Sequence, residues 1–441
     1  MLNLPSEKIR RWLFLLFLFL LALGTRKIFN FQEIENFPGF RENFSFSLFL
    51  FELPLLVGFF YEVFLFLFEK KIHKEKISFQ EKLLIAFLFL IFSSLFFHPS
   101  TQTLYASWRL IEAVGLSFWT KKIIHFSKEN FSSALMVLFG TGIFQSVLAF
   151  FQFFYQKSLG LYWLGESHLG SQILGVAKLE LENQKFIRAY GTFPHPNLLG
   201  TFLLLSLASG LWLFFTSSNK KSRQIYLAGF FCLLLGIFLS FSRSVWLATF
   251  LFLLIISILK FPSILHLRLT NWFFPLFFFF GLFFFFQPFL ASRLCLNCQG
   301  DQSIFLREKY SLIAQKIILQ NPLKGIGLGN FALKLPHVDQ SLSFSPWEIQ
   351  PVHNLFLLAS AELGLSVLIF FLGLLLSTII SFRKNNPLFP LLFLIFLFLG
   401  FFDHFFWTLP QGELIFFLVL AFSAYSCKME KENYEFSKIV N

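Results

Sequence analysis

Four short runs concentrate the residues able to do acid–base or anion chemistry in an otherwise apolar chain of 441 residues. The first runs from Arg188 to Asn197, with Pro194, His195 and Pro196 inside it. Its prolines hold the chain extended and start a helix, presenting Arg188 and His195 at the helix mouth. A rigid loop entry with solvated polar tips is the plainer reading. The second, Ser242-Arg243-Ser244, interrupts the apolar stretch 225–260, which suffices for two membrane spans and almost no loop. An arginine there is costly unless it snorkels to the interface or binds an anion. The flanking serines add hydrogen-bond capacity and favour the anion. The third is a predicted interfacial helix over 303–320, with Leu306, Tyr310, Ile313 and Ile317 on one face and Arg307, Ser311 and Gln315 on another. Asn321-Pro322 ends it, and Gly325, Gly327 and Gly329 follow. Their spacing fits neither a Walker nor a dinucleotide loop, so a flexible turn is expected. The fourth is Pro351-Val352-His353-Asn354 at the start of a late span. A helix N-terminus disfavours an imidazolium, so His353 suits the work of a general base, or else simply caps the helix. Asp403-His404 and Trp407 read as interface anchors.

The elements that must position these residues are membrane spans. The chain has 56% hydrophobic residues, 73 Phe and 14% charged residues. About 30 Å of hydrocarbon takes about 20 helical residues to cross, and about twelve stretches qualify. They fall near 10–25, 46–68, 82–98, 103–120, 131–155, 196–216, 225–242, 244–260, 271–290, 353–381, 387–402 and 407–426. The fourth carries Arg109 and Glu112, one turn apart and able to neutralise each other. Basic clusters sit at Lys8/Arg10/Arg11, Lys70/Lys71/Lys74/Lys76, Lys121/Lys122/Lys128, Lys220/Lys221/Arg223, Lys260/Arg268, Arg383/Lys384 and Lys428/Lys431/Lys438. With twelve spans all of them share one side, which the positive-inside rule makes cytoplasmic. The net charge of +12 thus serves topology and anionic lipid heads, and no nucleic-acid partner is expected. The basic, apolar N-terminus lacks a small-residue cleavage site and reads as an uncleaved first span. Segments 156–195 and 291–352 face outside together with the four runs. Four cysteines exclude a disulfide scaffold. Cys232 is expected to pack within a span, and Cys295 and Cys298 either form a local disulfide or stay free. No second pair exists to complete a zinc site.

The runs 188–197, 242–244, 321–331 and 352–364, in this order and on one face, resemble the O-antigen ligase and polymerase superfamily. The motif resemblance covers about 185 to 370. It implies an all-α integral membrane protein of about 12 transmembrane helices, with glycosyltransferase C-type architecture and a large periplasmic loop between spans 9 and 10. The expected organisation is membrane spans 1–5 over 1–155, a ligase-like core over 156–426, and a cytoplasmic tail over 427–441. The expected location is the bacterial inner membrane, with both termini cytoplasmic. The activity implied is glycan transfer from an undecaprenyl diphosphate carrier to lipid A–core (ligase) or to another carrier-linked glycan (polymerase), with no cofactor and no metal. By motif, Arg188, Arg243 and Arg307 hold the diphosphate and His353 acts on the acceptor. His195, Asn197 and Asn354 join the substrate-binding set.

The chemistry of the residues agrees with that implication. Displacing a sugar from a diphosphate leaves negative charge on the leaving oxygen, and arginines at a low-dielectric surface can stabilise it in place of a cation. Attack from the opposite face predicts inversion. A transporter or flippase for the same lipid-linked sugars is the reading from another class. It would need charges along the midplane and an internal repeat. Glu52, Glu62, Arg109 and Glu112 are the only midplane charges to consider, and no repeat is evident.

Overall fold

The computed structural model describes residues 3–29, 45–68, 77–181, 184–264, 281–287, 302–338, 348–384 and 387–424, with 278 and 289 besides. Cys295, Cys298, Asp301, Asp339, the tail 427–441 and most of the expected ninth span lie outside the described residues. Helices dominate, as an all-α membrane protein requires. Among the described residues, five helices are long and apolar enough to cross a membrane: Phe79–Phe97, Lys128–Tyr155, Pro196–Thr216, Lys220–Leu239 and Ser366–Arg383. Shorter apolar helices cover Arg243–Leu259, Leu388–Leu399 and Pro410–Ala424. The all-helical expectation needs correction in two places. Short antiparallel pairs form from β1 (Arg26–Phe29) with β2 (Phe46–Phe49), and from β3 (Lys178–Leu181) with β4 (Gln184–Ile187). The expected span 46–68 therefore begins as a strand, and its helix starts only at Glu52.

The chain divides into two compact units that interleave in sequence. The first comprises Met1–Arg26, Phe49–Pro54 and Ile123–Cys298. It holds α1 (Asn3–Leu21), the start of α2 (Glu52–Phe68), and then α5 (Lys128–Tyr155), α6 (Pro196–Thr216), α7 (Lys220–Leu239) and α8 (Arg243–Ile264), numbered with the α3 and α4 given below. Local signals set the starts: Ser127 accepts from Asn130 N, Asn219 accepts from Lys221 N, and Pro196 occupies the first turn of α6 behind His195. α6 is the central helix, buried from Pro196 to Leu213. Small residues let its neighbours close in. A Cβ on Gly142 of α5 would lie 2.3 Å from Ser206 of α6, and one on Gly236 of α7 would lie 2.4 Å from the Ser146 hydroxyl of α5. Such contacts bind helices where lipid supplies no hydrophobic drive between them.

The second unit comprises Lys27–Leu48, Leu55–Lys122 and Gln299–Asn441. It holds most of α2, then α3 (Phe79–Phe97), α4 (Thr101–Phe126), α9 (Gln302–Gln320), α10 (Phe331–Val338), α11 (Leu355–Leu363), α12 (Ser366–Lys384), α13 (Leu388–Leu399), α14 (Phe405–Thr408) and α15 (Pro410–Ala424). Arg109 and Glu112 of α4 pair at 3.2 Å, both buried, and Arg109 also donates to the Tyr105 hydroxyl and the Ser47 carbonyl. Phe87 of α3 stacks on Phe370 of α12 at 4.2 Å. The helix over 303–320 forms as expected, with Tyr310, Ile313 and Ile317 buried. The expected single span 353–381 is instead two helices, broken at Gly364. Gly364 adopts φ 81°, and a Cβ there would stand 2.4 Å from the Leu323 carbonyl oxygen. Only glycine holds that left-handed turn against another backbone.

Candidate functional site

In the first unit, the β3–β4 pair delivers Arg188 into a loop built around side-chain amides of α5. Gln156 accepts from Ile187 N at 2.7 Å. Gln152 accepts from Tyr190 N and Gly191 N at 3.0 and 2.7 Å and donates to the Gly191 carbonyl and to Glu166. Gln145 accepts from Thr192 N at 3.0 Å and donates to Thr192 Oγ1 and the Ala22 carbonyl. Glu166 itself accepts from Leu159 N and Leu161 N, both at 2.7 Å. Burial pushes the Tyr190 hydroxyl up from its ordinary value, and it accepts from Ala177 N. Buried amides with every donor and acceptor used are rigid.

Arg188 emerges from this frame 5% exposed. Its Nε donates to the Ser240 carbonyl at 2.8 Å and its Nη2 to Asn197 Oδ1 at 2.6 Å. Ser240 opens the tight turn between α7 and α8, where Phe241 takes φ 46° and Arg243 begins α8. The Ser242 and Ser244 hydroxyls lie 3.3 Å apart across Arg243. His195 caps α6, its Nδ1 accepting from Asn197 N at 3.2 Å. Thus the structure gathers Arg188, Asn197 and the turn that carries Arg243, with two helix N-termini. Those termini and guanidinium groups favour an anion.

In the second unit, Asn354 caps α11, accepting from Phe356 N and Leu357 N at 3.0 Å each. Leu355 N donates to the Gly400 carbonyl at 2.7 Å, and Asn354 Nδ2 to the Phe401 carbonyl at 3.3 Å. The start of α11 is thereby fastened to the turn after α13. That turn brings Asp403, 5% exposed, to 3.4 Å from His353 Nδ1. Asp403 also accepts from His404 N at 2.8 Å. The His404 ring lies 5.0 Å from the His353 ring, and its Nδ1 meets Thr408 Oγ1 at 2.7 Å. Burial first, then the neighbouring His353 and Arg307, hold His404 down at about 4, against an opposing pull from Asp403. Arg307, on α9, therefore acts on this cluster through its charge.

His353, Asp403 and His404 could each offer an atom to a cation, and these atoms lie within 4.8 Å of one another. Ligands about 2.1 Å from zinc sit roughly 3.4 Å apart in a tetrahedron. With His404 Nδ1 committed to Thr408, the geometry also suits an acid–base pair: Asp403 orients one ring nitrogen of His353 and leaves the other to a substrate.

The glycine run is tied into the second unit by its own backbone N–H groups rather than left as an open turn. Gly325 N, Ile326 N and Gly327 N donate to the Asn321, Ala361 and Glu362 carbonyls, and Leu328 N to Ser94 Oγ. His98 packs under Gly327.

Sequence reasoning did not foresee Gln145, Gln152, Gln156, Glu166, Glu362 or the partnership of Asp403 with His353. The glutamines carried a signal, since a spacing of seven puts Gln145 and Gln152 on one face of an apolar helix, with Gln156 just past its end. Asp403 carried none beyond its charge in an apolar stretch.

A family model described as O-antigen ligase matches residues 228–372, a span that contains Arg243, Arg307 and His353. A search of curated proteins found no match. The match covers three of the four runs that carry the expected resemblance, those at 242–244, 321–331 and 352–364, so residues 228–372 are similar to an O-antigen ligase domain.

Proposed function

We propose that this multi-pass membrane protein transfers a glycan from an undecaprenyl diphosphate carrier to an acceptor hydroxyl at the periplasmic face, with inversion and without a metal. The acceptor assigned is lipid A–core, which makes it a ligase of lipopolysaccharide biosynthesis. The observation that carries the reading is His353 set against buried Asp403 at 3.4 Å. A carboxylate on one imidazole nitrogen fixes the tautomer and supports proton uptake at the other, as deprotonating a sugar hydroxyl needs. Arg188, Arg243 and Arg307 are assigned to the diphosphate, where fixed guanidinium charge stabilises the leaving oxygen. His195, Asn197 and Asn354 hold the backbone around these groups.

The test is single-turnover transfer by purified full-length protein, scoring undecaprenyl diphosphate release with lipid A–core or with a carrier-linked glycan as acceptor, in excess EDTA. His353→Ala should lower the rate about 10²–10⁴-fold and leave donor binding nearly intact. Transfer only to the glycan acceptor would make the protein a polymerase. Loss of activity in EDTA, restored by Mg²⁺ or Mn²⁺, would overturn the metal-free reading. Wild-type rates in His353→Ala would remove the base assignment.

A further inference from the structure

Glu362 is a buried carboxylate to which the proposed chemistry assigns no part. It stands at the end of α11 opposite His353, 2% exposed. Three N–H groups from two other segments converge on it. Trp407 Nε1 donates at 2.8 Å, Phe331 N at 3.2 Å, and Gly329 through its backbone N–H. Its own carbonyl accepts from Gly327 N at 3.0 Å. A Cβ on Gly325 would lie 2.2 Å from that carbonyl oxygen, so the glycine run is shaped to close on this residue.

Trp407 belongs to α14, whose N-cap is His404, and Trp407 N donates to the His404 carbonyl at 2.8 Å. Helix α11 is therefore joined to segment 400–408 at both ends. One join is His353–Asn354 with Gly400, Phe401 and Asp403. The other is Glu362 with Trp407. A nine-residue helix spans about 13 Å. The far join thus adds to the near contacts that hold the Asp403 turn in register with the His353 ring.

We infer that Glu362 is a positioning residue for the acceptor base: by clamping Trp407 and the glycine turn to the end of α11, it holds Asp403 against His353. This rests on the reading of His353 as that base. A carboxylate is required because all the converging groups are donors. A glutamine would turn its own N–H₂ toward one of them.

The experiment measures kcat and donor KM for full-length Glu362→Gln, Trp407→Phe, Asp403→Ala, His353→Ala and the double variants with Asp403→Ala. Glu362→Gln should lower kcat about 10–100-fold, as a displacement near 1 Å does, with donor KM within about twofold. Trp407→Phe, which removes one donor, should act in the same direction but less. In the Asp403→Ala background neither substitution should lower kcat further, because the contact they protect is already gone. Trp407→Phe added to Glu362→Gln should recover part of the rate by removing a donor–donor clash. Wild-type kcat in Glu362→Gln, a loss that multiplies fully with Asp403→Ala, or a loss confined to donor KM would each overturn the inference. If Glu362→Gln does not accumulate as folded protein, Trp407→Phe and its double variant carry the same comparison. Wild-type rates in His353→Ala would instead defeat the underlying assignment of the base.

Discussion

Lysine and arginine carry the same charge in different shapes, and Arg243 is where that difference can be measured. It opens α8 between two serines, on the turn whose Ser240 carbonyl Arg188 holds. A planar fork binds two diphosphate oxygens at once, and an ammonium binds as a point. Arg243→Lys should therefore impair transfer strongly, and Arg243→Ala should raise the barrier by about 2.7–4 kcal/mol while the protein still inserts. Steady-state transfer beside membrane abundance checks this, and normal turnover in Arg243→Ala would leave snorkelling as the role of the residue. His404 offers a second measurement. Its folded value of about 4 lies below the ordinary 6.5. Between those values the unfolded chain binds more protons than the folded one, so stability is full above about pH 6.5 and falls as pH drops toward 4. The contribution approaches about 3 kcal/mol at its limit. Denaturant unfolding at pH 7 and pH 5 should show this loss, and His404→Asn should flatten it. An unchanged slope in the variant would place the titration elsewhere.

At the scale of elements, placement depends on helices that reach into loops. α5 acts as a template: Gln145, Gln152 and Gln156 hold the backbone from Ile187 to Thr192, and Arg188 leaves that frame with its direction set. Replacing one amide with an apolar side chain strands buried N–H and carbonyl groups, each at a cost of about 1–3 kcal/mol. Gln152→Leu should lower the thermal midpoint and weaken donor binding, with a smaller effect on the rate from the bound state. Calorimetry beside a donor-binding assay separates these effects, and unchanged donor affinity would detach the template from the arginine. α11 is the other such element. The break at Gly364 makes it a short rod that locks reciprocally with the glycine turn, Leu365 N donating to the Pro322 carbonyl and Ile326 N to the Ala361 carbonyl.

For the whole molecule, the positive-inside rule predicts from the basic clusters that both termini and the 217–222 turn face the cytoplasm and the chemistry-bearing loops the opposite side. In a background without the four native cysteines, Gly175→Cys and Leu323→Cys should react with an impermeant thiol reagent added to spheroplasts, and Lys221→Cys should not. All three positions are exposed, so topology decides the labelling. The reverse pattern would put the arginines and His353 in the cytoplasm and remove the periplasmic reaction.

The sequence by itself determined what one-dimensional physics can determine. Hydrocarbon thickness demands long apolar runs, so the helices of the described spans stood out. A charge in such a run is expensive, so Arg243 stood out, and Arg109 found Glu112 because they are one helical turn apart. The start of α6 at Pro196 and the end of α9 at Asn321-Pro322 were likewise written in neighbouring residues, whereas the cap of α11 is Asn354 and not His353. Tertiary structure alone decided the partners across sequence. His353 meets Asp403 fifty residues on, Glu362 meets Trp407 forty-five on, and Gln145 meets Thr192 forty-seven on. It also turned a glycine run that looked flexible into a clamp, and a single expected span into two helices. Such contacts depend on which helices pack together, and a carboxylate, an amide or a glycine has the same composition whether it faces lipid, solvent or the one group that needs it.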